Sequence, residues 1–467
     1  MLQNFAAKFR HKKEEAGGVR NLILHTSFAL MLTSGTSYML GLIRDKIFAN
    51  KFGAGGELDI YNASFTIPDL FLSVFATAAL SAAFVPIFVK IREKSDKIAM
   101  EYASKVLSFI LTGLLCAITL YAIFVPFFVD SLVPGFSAEQ KSSYILLVRL
   151  MLLSPLFFTV SNTLGGILIS TKDFLWYGIS PVLYNLGIIL GATVFYEIFG
   201  LPGLVLGTIT GGVFHMSARL ITSFKRGFRF KINFKIDQNI KDTIKLMLPA
   251  IIPLALWQVL LNWFVRLSSE LPEGSVTVYN FSRNFQSALV SLVGISIALA
   301  AFSELSKLSA EGKIEEFKKV VRKKTVFVFG FTTLAALCLA LASKLTISIL
   351  LGGGEFGEES VKLTSLMLAV YCISIPFESL MYLFAKAHYA LKNTLRPSLI
   401  YAFSILVIIA TSAILKNHIG IFSIPVSFAI GMCLQVVGLH LSLKFLMSKL
   451  IIPGQIREWR VSPSVHK

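Results

Sequence analysis

Long runs of apolar residues follow one another along almost the whole of this chain. A helix that crosses the hydrocarbon core of a bilayer needs about 20 such residues. Only 15% of the 467 residues are charged, whereas soluble domains have nearer a quarter. The sequence therefore predicts an all-α polytopic membrane protein with twelve transmembrane helices. The predicted spans are 22–44, 57–90, 103–128, 143–168, 175–198, 201–222, 244–269, 275–304, 325–350, 362–390, 396–416 and 420–446.

The basic residues are concentrated in alternate connections between these runs. A formal net charge of +18 would suggest nucleic acid as the partner of a soluble chain. Here the pattern is the positive-inside distribution of membrane proteins, so no nucleic-acid partner is predicted. The basic clusters lie in the N-terminal arm, the second-to-third loop, the sixth-to-seventh loop, the eighth-to-ninth loop and the tail. Arg219 is counted with the sixth-to-seventh loop. Both termini are predicted to be cytoplasmic.

The two halves of the chain resemble each other. FATAALSAAFVPIFVK (75–90) is similar to LVGISIALAAFSELSK (292–307), and SPLFFTVSNTLGGILISTKDF (154–174) is similar to SIPFESLMYLFAKAHYALKNT (374–394). The offset is close to half the chain. Such a repeat predicts two six-helix bundles related by a pseudo-two-fold axis along the membrane normal, with a substrate site between them and alternating access. The predicted segments are a basic cytoplasmic arm (1–21), the N-terminal bundle (22–224), a basic cytoplasmic linker (225–243), the C-terminal bundle (244–450) and a cytoplasmic tail (451–467).

Polar residues recur at helical spacing inside several of the apolar runs. Residues three or four apart share one face of a helix, and a polar stripe that crosses the membrane cannot face lipid. Small and hydroxyl residues also serve as ordinary packing contacts between membrane helices. Arginines in the same stripes favour a hydrated cavity instead. The predicted lining residues are Asn62, Thr66, Asp69, Ser73, Asn262, Tyr279 and Ser287.

Three arginines lie in these stripes: Arg44, Arg266 and Arg283. A guanidinium group can donate two parallel hydrogen bonds to phosphate oxygens, and it stays charged. The pattern therefore favours an anionic, phosphate-bearing substrate. Asp45 and Asp59 are predicted at the outer mouth, as charge-pairing partners or as a gate. We favour local neutralisation of Arg44 for Asp45 and leave gating open for Asp59.

Two further carboxylates lie deep in apolar runs. Asp69 follows Pro68, which is expected to kink the second span. Asp69 is interpreted as a protonated cavity group or as a partner for Arg283 or Arg266. Glu378 follows Pro376 in the tenth span and is assigned a structural hydrogen bond at the kink.

No motif of catalysis or cofactor binding stands out in the sequence. Gly-rich phosphate loops, HExxH and the nucleophile elbow are missing. We therefore predict no enzyme activity, no cofactor and no metal site. Any driving force would be an ion gradient, the membrane potential or substrate turnover. The four cysteines, which lack metal-like spacing, are predicted to be buried thiols: Cys116, Cys338, Cys372 and Cys433.

Several stretches resemble the MurJ/MviN family of lipid II flippases, within the multidrug/oligosaccharidyl-lipid/polysaccharide exporter superfamily. These are LGLIRDKIFANKFGAGGELDIY, IPDLFLSVFATAALSAAFVPIF, GGILISTKDFLWYGISPVLYNLGIIL, LPEGSVTVYNFSRNFQSALVSLVGISIA and FAKAHYALKNTLRP. The resemblance implies a two-lobed bundle that moves lipid-linked peptidoglycan precursor outward and holds its pyrophosphate with cavity arginines. Lipid II, the bilayer and cell-wall synthesis proteins are the implied partners, in the bacterial cytoplasmic membrane. The positions that match the family are Arg44, Asp45, Asp59 and Arg283.

The sequence departs from the family pattern at four positions. Leu72 and Ser73 stand where a basic pair is usual, Tyr38 replaces an arginine, and Phe264 replaces an acidic residue tied to sodium in some members. The last departure argues against sodium coupling. Two further helices that form a groove for the polyprenyl tail are expected to be absent, which places the tail elsewhere. Arg266 is our candidate to replace a lost cavity charge.

Other functions fit parts of the sequence. An exporter of another polyprenyl-pyrophosphate glycan, such as an O-antigen or capsule unit, would need the same cavity chemistry. A cation-coupled drug antiporter would need an acidic cavity, against which the arginines argue. A non-transporting scaffold for cell-wall synthases would leave the polar stripes unexplained. An integral-membrane glycosyltransferase would need outer loops with paired carboxylates.

Overall fold

The computed structural model describes residues 29–78 and 80–449, which are helical almost throughout. The first helix, α1, is described over 29–52. The remaining helices of the first half are α2 (Gly56–Ala63), α3 (Thr66–Phe71), α4 (Val85–Arg92), α5 (Asp96–Leu132), α6 (Ala138–Met151), α7 (Ser154–Ser170), α8 (Phe174–Leu190), α9 (Tyr196–Phe199) and α10 (Leu201–Lys225). The predicted arm (1–21) and tail (451–467) lie outside the described residues.

The second half continues from the irregular segment after α10. Its helices are α11 (Gln238–Ser269), α12 (Ser275–Leu289), α13 (Ser296–Ala310), α14 (Ile314–Leu341), α15 (Ser343–Leu350), α16 (Glu358–Cys372), α17 (Ile375–Ala390), α18 (Leu395–Ile419) and α19 (Ser423–Lys449). Four π-helical segments extend or join these helices: Leu72–Thr77, Leu80–Phe84, Gly191–Phe195 and Val290–Ile295.

Eight helical segments in the described part of the chain are long and apolar enough to cross a membrane. A ninth is counted if α16 and α17, bent by 42° at their junction, form one span. One of the eight, Leu395–Ser448, contains both α18 and α19, which pack against each other around a turn at Gly420 (φ 54°). The predicted class, an all-helical multi-pass membrane protein, is confirmed. The count of twelve spans and their topology stay predictions.

The second predicted span is not one continuous α-helix. A turn at Ser64 and Phe65 separates α2 from α3, and π-helical segments follow at Leu72–Thr77 and Leu80–Phe84. The cause of the break is Pro68, because its ring excludes the carbonyl four residues earlier, that of Ser64. A π-helix has more residues per turn than an α-helix. The regular α-helical spacing assumed for Asn62, Thr66, Asp69 and Ser73 in the second span is therefore wrong.

Unusual backbone features occur twice, once in each half. The π-helical segment Leu72–Thr77 corresponds to Val290–Ile295. A break in the helix precedes both α7 and α17, and each of these helices carries a proline in its first turn. Each feature is costly or rare by itself. Their recurrence at the offset of the sequence similarity supports an internal repeat.

Two further features repeat at turns. Lys172 (φ 62°) and Lys392 (φ 56°) are the non-glycine residues with positive φ in the described chain. Gly200 and Gly420, at φ 62° and 54°, each begin the next helical segment. A non-glycine residue in this left-handed region costs about 1–2 kcal/mol. The halves therefore share a backbone pattern, whereas the axis predicted to relate them stays a prediction.

The chain divides into two compact units. The N-terminal unit contains the described residues up to Thr277 together with Ser348–Val361, and the C-terminal unit contains Val278–Ile347 and the described residues from Lys362. Each has its own apolar core. In the N-terminal unit the largest buried side chains include Phe84, Phe88, Tyr102 and Phe228, and in the C-terminal unit they include Phe317 and Phe384.

Glycines allow α8 and α10 to pack at backbone contact. A Cβ atom at Gly207 would lie 2.3 Å from the Cα of Gly191, and one at Gly187 would lie 2.2 Å from the Cα of Gly211. Neither distance is possible between real atoms, so these positions require glycine. The helices thus meet through small residues spaced four apart, which is typical of close packing between membrane helices.

Replacing Gly207 by leucine is expected to separate α8 from α10 and destabilise the protein, by at least the 1–3 kcal/mol typical of overpacking. The measurement is the apparent melting temperature of purified protein in detergent. Gly330→Leu is the matched control, because a Cβ at Gly330 has nothing within 4 Å. Equal melting temperatures for the two variants would contradict the assigned contact.

Candidate functional site

Arg44 near the end of α1 is held by its neighbour in sequence and by α8. Its Nε and Nη2 donate to Asp45 Oδ1 at 2.9 and 2.7 Å, and Nη1 donates to Asn185 Oδ1 at 3.1 Å. The Asn185 amide donates in turn to the Ser37 carbonyl at 3.2 Å. Arg44 is therefore neutralised locally by Asp45, and its orientation is fixed by an amide that α8 contributes.

Asp59 in α2 is buried and accepts three short hydrogen bonds. The backbone N–H groups of Gly274 and Thr277 and the Thr277 hydroxyl each donate to it at 2.7 Å. All of these groups lie in the N-terminal unit. Gly274 immediately precedes α12 and Thr277 lies in its first turn. There the first N–H groups of a helix lack intrahelical partners and the helix dipole favours a negative charge. Asp59 therefore caps the first turn of α12.

Arg266 in α11 is more loosely held than Arg44. Its Nε lies 3.7 Å from Glu270 Oε1, one turn along the same helix, and its guanidinium lies over the Trp263 ring at 5.6 Å. The interpretation of Asp69 as a partner of Arg266 is thus not what the structure shows. Asp69 is exposed and has no ion pair among the described residues.

Polar side chains of α11 contact the second span instead of lining a continuous stripe. Gln258 donates to the Ser73 hydroxyl at 3.0 Å, and Asn262 donates to the Thr66 carbonyl at 3.3 Å. Asn62 donates to the Thr277 hydroxyl at 3.4 Å. Several polar side chains that were predicted to face a cavity therefore make hydrogen bonds between helices. Whether these side chains also line a cavity stays a prediction.

Arg283 in α12 makes a buried ion pair within the C-terminal unit. Its Nη2 and Nη1 donate to the Glu378 carboxylate at 3.0 and 3.3 Å, and the guanidinium lies over the Phe428 ring at 4.8 Å. Gln286, one turn further along α12, donates to the same carboxylate at 2.8 Å. Arg283 is 9% exposed and Glu378 is 2% exposed. Glu378 thus accepts the structural hydrogen bond predicted near the kink and is also the counter-ion of Arg283, a partner that the sequence did not indicate.

The surroundings of this pair explain why two charges are tolerated in the interior. Glu378 lies in the first turn of α17, where the helix dipole favours an anion. Gln286 also donates to the Ser374 hydroxyl at 3.1 Å, so its amide bridges α12 and the start of α17. Of the other predicted lining residues, Tyr279 is buried, and Ser287 is partly exposed and donates to the Asn284 carbonyl at 3.0 Å.

The charge of Arg219 predicts a position in the sixth-to-seventh loop, and this prediction is wrong. It lies inside α10, is 4% exposed, and donates to the Ser180 hydroxyl at 2.7 Å and the Ser161 carbonyl at 3.1 Å. Its guanidinium also lies over the Tyr177 ring at 4.5 Å. Neutral acceptors from α7 and α8 therefore hold this arginine, which ties three helices together.

The two basic residues near Arg44 have structural contacts at the end of α1. Lys46 donates to the carbonyls of Ile349 and Gly352, and Asn50 donates to the carbonyl of Leu351. Lys51 pairs with Glu197 and donates to the Ala192 carbonyl. These bonds fix the α15–α16 connection, the π-helical segment Gly191–Phe195 and α9 against α1, all within the N-terminal unit.

The structure adds residues that sequence reasoning did not select, chiefly Asn185 and Gln286. Gln286 has a sequence signal, because it lies three residues after Arg283 on the same helix face. Asn185 has none, since its contact with Arg44 joins helices distant in sequence. In the described part of the chain, no three His, Cys, Asp or Glu residues are grouped as a metal site. Of the cysteines predicted to be buried, Cys116 and Cys338 are exposed on their helices.

Comparison with solved structures defines the class of the fold. A structure described as lipid II flippase MurJ in an inward closed conformation matches with a TM-score of 0.77 at 22% identity, over 90% of this chain and 89% of that chain. An inward-facing multidrug resistance MATE family transporter of the MOP superfamily matches with a TM-score of 0.74 at 17% identity, over 89% and 95%. The chain thus has the fold of these multi-helix membrane transporters.

Sequence comparison identifies the family within that class. The family described as "Lipid II flippase MurJ" matches residues 48–455, so the chain belongs to the MurJ family. Probable lipid II flippases MurJ of Thermotoga maritima and Rickettsia prowazekii are 28% and 26% identical to it, over 79% and 82% of this chain and 75% and 77% of their own lengths. That of Aquifex aeolicus is 24% identical over 92% of this chain and 84% of its own length.

Proposed function

We propose that this chain is a flippase that moves undecaprenyl-pyrophosphate-linked lipid II from the inner to the outer leaflet of the bacterial cytoplasmic membrane. The observation that carries the proposal is the family match over residues 48–455. The relatives' printed names give the substrate. Transport by alternating access through a cationic cavity, without chemical conversion of the substrate, is part of the proposal, as are cell-wall synthesis proteins as partners.

The contacts of the arginines suggest how the pyrophosphate would be recognised. Arg44 and Arg283 each have a carboxylate partner, Asp45 and Glu378. A guanidinium has five N–H donors, and the bonds of Arg44 to Asp45 and Asn185 use three of them. A phosphate oxygen can therefore join Arg44 without displacing Asp45. At Arg283 a phosphate would meet a guanidinium whose Nη1 and Nη2 each already donate to Glu378.

The experiment that tests the function is replacement in living cells. A bacterium depleted of its own lipid II flippase receives this gene, and growth and surface-exposed lipid II are measured. Both are expected to return. Failure despite good membrane expression would favour the second candidate, an exporter of another polyprenyl-pyrophosphate glycan, whose phosphates the same arginines would bind. The arginines also disfavour a cation-coupled drug antiporter despite the shared fold.

Arg266 is proposed to supply cavity charge that the departures at Leu72 and Ser73 remove. Its pair with Glu270 is long, and its side chain is 40% exposed, so it is free to reorient towards an anion. Arg266→Ala is expected to reduce complementation and Arg44→Ala to abolish it at equal expression. The role of Arg266 is excluded if Arg266→Ala exports normally while Arg283→Ala does not.

A further inference from the structure

The segment 229–236, RFKINFKI, joins α10 to α11 and exposes apolar side chains between basic ones. It has no regular secondary structure. Lys231 and Lys235 alternate with its apolar residues and are exposed as well. Four large apolar side chains exposed within eight residues indicate an interaction site. Their exposed fractions are 41% for Phe230, 73% for Ile232, 49% for Phe234 and 59% for Ile236.

Contacts with α5 show that the segment rises along that helix and returns. The Ser104 hydroxyl donates to the Arg229 carbonyl at 3.3 Å, and the Asn233 N–H donates to the Ser108 hydroxyl at 3.1 Å. The ring centroids of Phe234 and Phe109 are 5.6 Å apart. The Lys235 N–H donates to the Asn233 side chain at 3.0 Å, which forms a local turn. The apex of the segment is therefore at residues 233 and 234.

The return of the segment ends at an ion pair. Lys105 on α5 donates to Asp237 at 2.6 Å. Partial burial would raise the pKa of Asp237, but hydrogen bonds from Lys105 and from backbone N–H groups lower it by more, so the carboxylate stays charged. A charged pair of this kind marks the level on α5 where the surroundings are polar.

The apex lies deeper than this ion pair. An α-helix rises about 1.5 Å per residue, so Ser108 and Phe109 lie about 5–6 Å beyond Lys105 along α5. That direction leads into the membrane-spanning part of α5. Amphipathic helices that lie on a bilayer surface bury their apolar face about 5–10 Å into the boundary between headgroups and acyl chains, and we apply the same depth to this extended segment. The depth of the apex agrees with this range.

We propose that the segment 229–236 is a membrane-surface anchor that binds anionic phospholipid of the inner leaflet. Phe230, Ile232, Phe234 and Ile236 enter the headgroup–acyl boundary, and Arg229, Lys231 and Lys235 contact lipid phosphates. The occupant is lipid because both ends of the segment continue into membrane-spanning helices, α10 and α11, and because its charge is complementary to an anionic surface. The anchor is independent of the transported substrate.

The test uses nitroxide labels on the full chain in lipid vesicles. Cys116, Cys338 and Cys433 are replaced by alanine, while Cys372, which is buried, stays. Single cysteines are introduced as Ile232→Cys and, for the control, Lys97→Cys. Lys97 is exposed near the start of α5, about 12 Å outside Lys105 along the helix. Accessibility of each label to oxygen and to a water-soluble nickel chelate is measured.

The label at position 232 is expected to be more accessible to oxygen than to the chelate. The label at position 97 is expected to be more accessible to the chelate. In vesicles of phosphatidylcholine alone, the label at position 232 should be less accessible to oxygen and more accessible to the chelate than in vesicles that contain phosphatidylglycerol. Adding Lys231→Gln and Lys235→Gln should remove that lipid dependence. Chelate-dominated relaxation at 232 in anionic vesicles would overturn the proposal. So would protection from both reagents with spin–spin broadening, which would indicate a second copy of the chain as the occupant.

Discussion

Arg283→Ala is expected to abolish transport and to lower the free energy of unfolding by about 3–5 kcal/mol. The loss of stability follows because Glu378, 2% exposed, would keep its buried charge without its ion-pair partner. Gln286 would remain as a donor to this carboxylate from α12. The measurements are thermal unfolding of the purified protein and complementation of a flippase-depleted bacterium.

A double variant separates the structural role of Arg283 from its proposed role in binding. Arg283→Met with Glu378→Gln removes both charges at similar volume, so stability should return to near that of the natural chain. Transport should stay lost, because the donor of paired hydrogen bonds to phosphate is absent. If the double variant complements as well as the natural chain, Arg283 stabilises the fold and does not bind substrate.

Asp59→Ala is expected to produce the second large effect. It leaves the N–H groups of Gly274 and Thr277 without their acceptor at the buried start of α12. Each unsatisfied buried donor costs about 1–3 kcal/mol, so the loss of stability should equal or exceed that of an ordinary N-cap. Transport should fall with it, since α12 also carries Arg283.

The matched control for Asp59 is Asp59→Asn. One amide oxygen can still accept hydrogen bonds, but the negative charge is lost and the amide donors face the N–H groups of the helix start. We expect stability between that of the natural chain and Asp59→Ala. The capping role would be contradicted if Asp59→Ala unfolded at the same temperature as the natural chain.

The fold was predictable because its signals are local. Runs of about 20 apolar residues define membrane helices without any tertiary information, and both the all-helical class and the family were confirmed. The break in the second span was only half predictable: Pro68 indicated a kink, but not the π-helical segments beyond it. A π-helix depends on packing contacts that single-helix periodicity does not contain.

The candidate site was predictable only where its partners are close in sequence. Asp45 follows Arg44 directly, so their pairing could be read from the chain. Glu378 is paired with an arginine five helices earlier, and the cap of α12 by Asp59 joins even more distant elements. The position of Arg219 was predicted wrongly for a different reason. Its charge indicated a loop, but carbonyl and hydroxyl acceptors of neighbouring helices make its burial possible.

The central claim, transport of lipid II that depends on Arg283, is tested most directly in sealed vesicles. The purified chain is reconstituted with fluorescent lipid II, and a membrane-impermeant reductant is added outside to bleach the label. Vesicles with the natural chain should lose fluorescence beyond the outer-leaflet fraction, whereas those with the Arg283→Met, Glu378→Gln variant should stop at that fraction. Bleaching that stops at the outer leaflet with the natural chain, or proceeds equally with the double variant, would contradict the account.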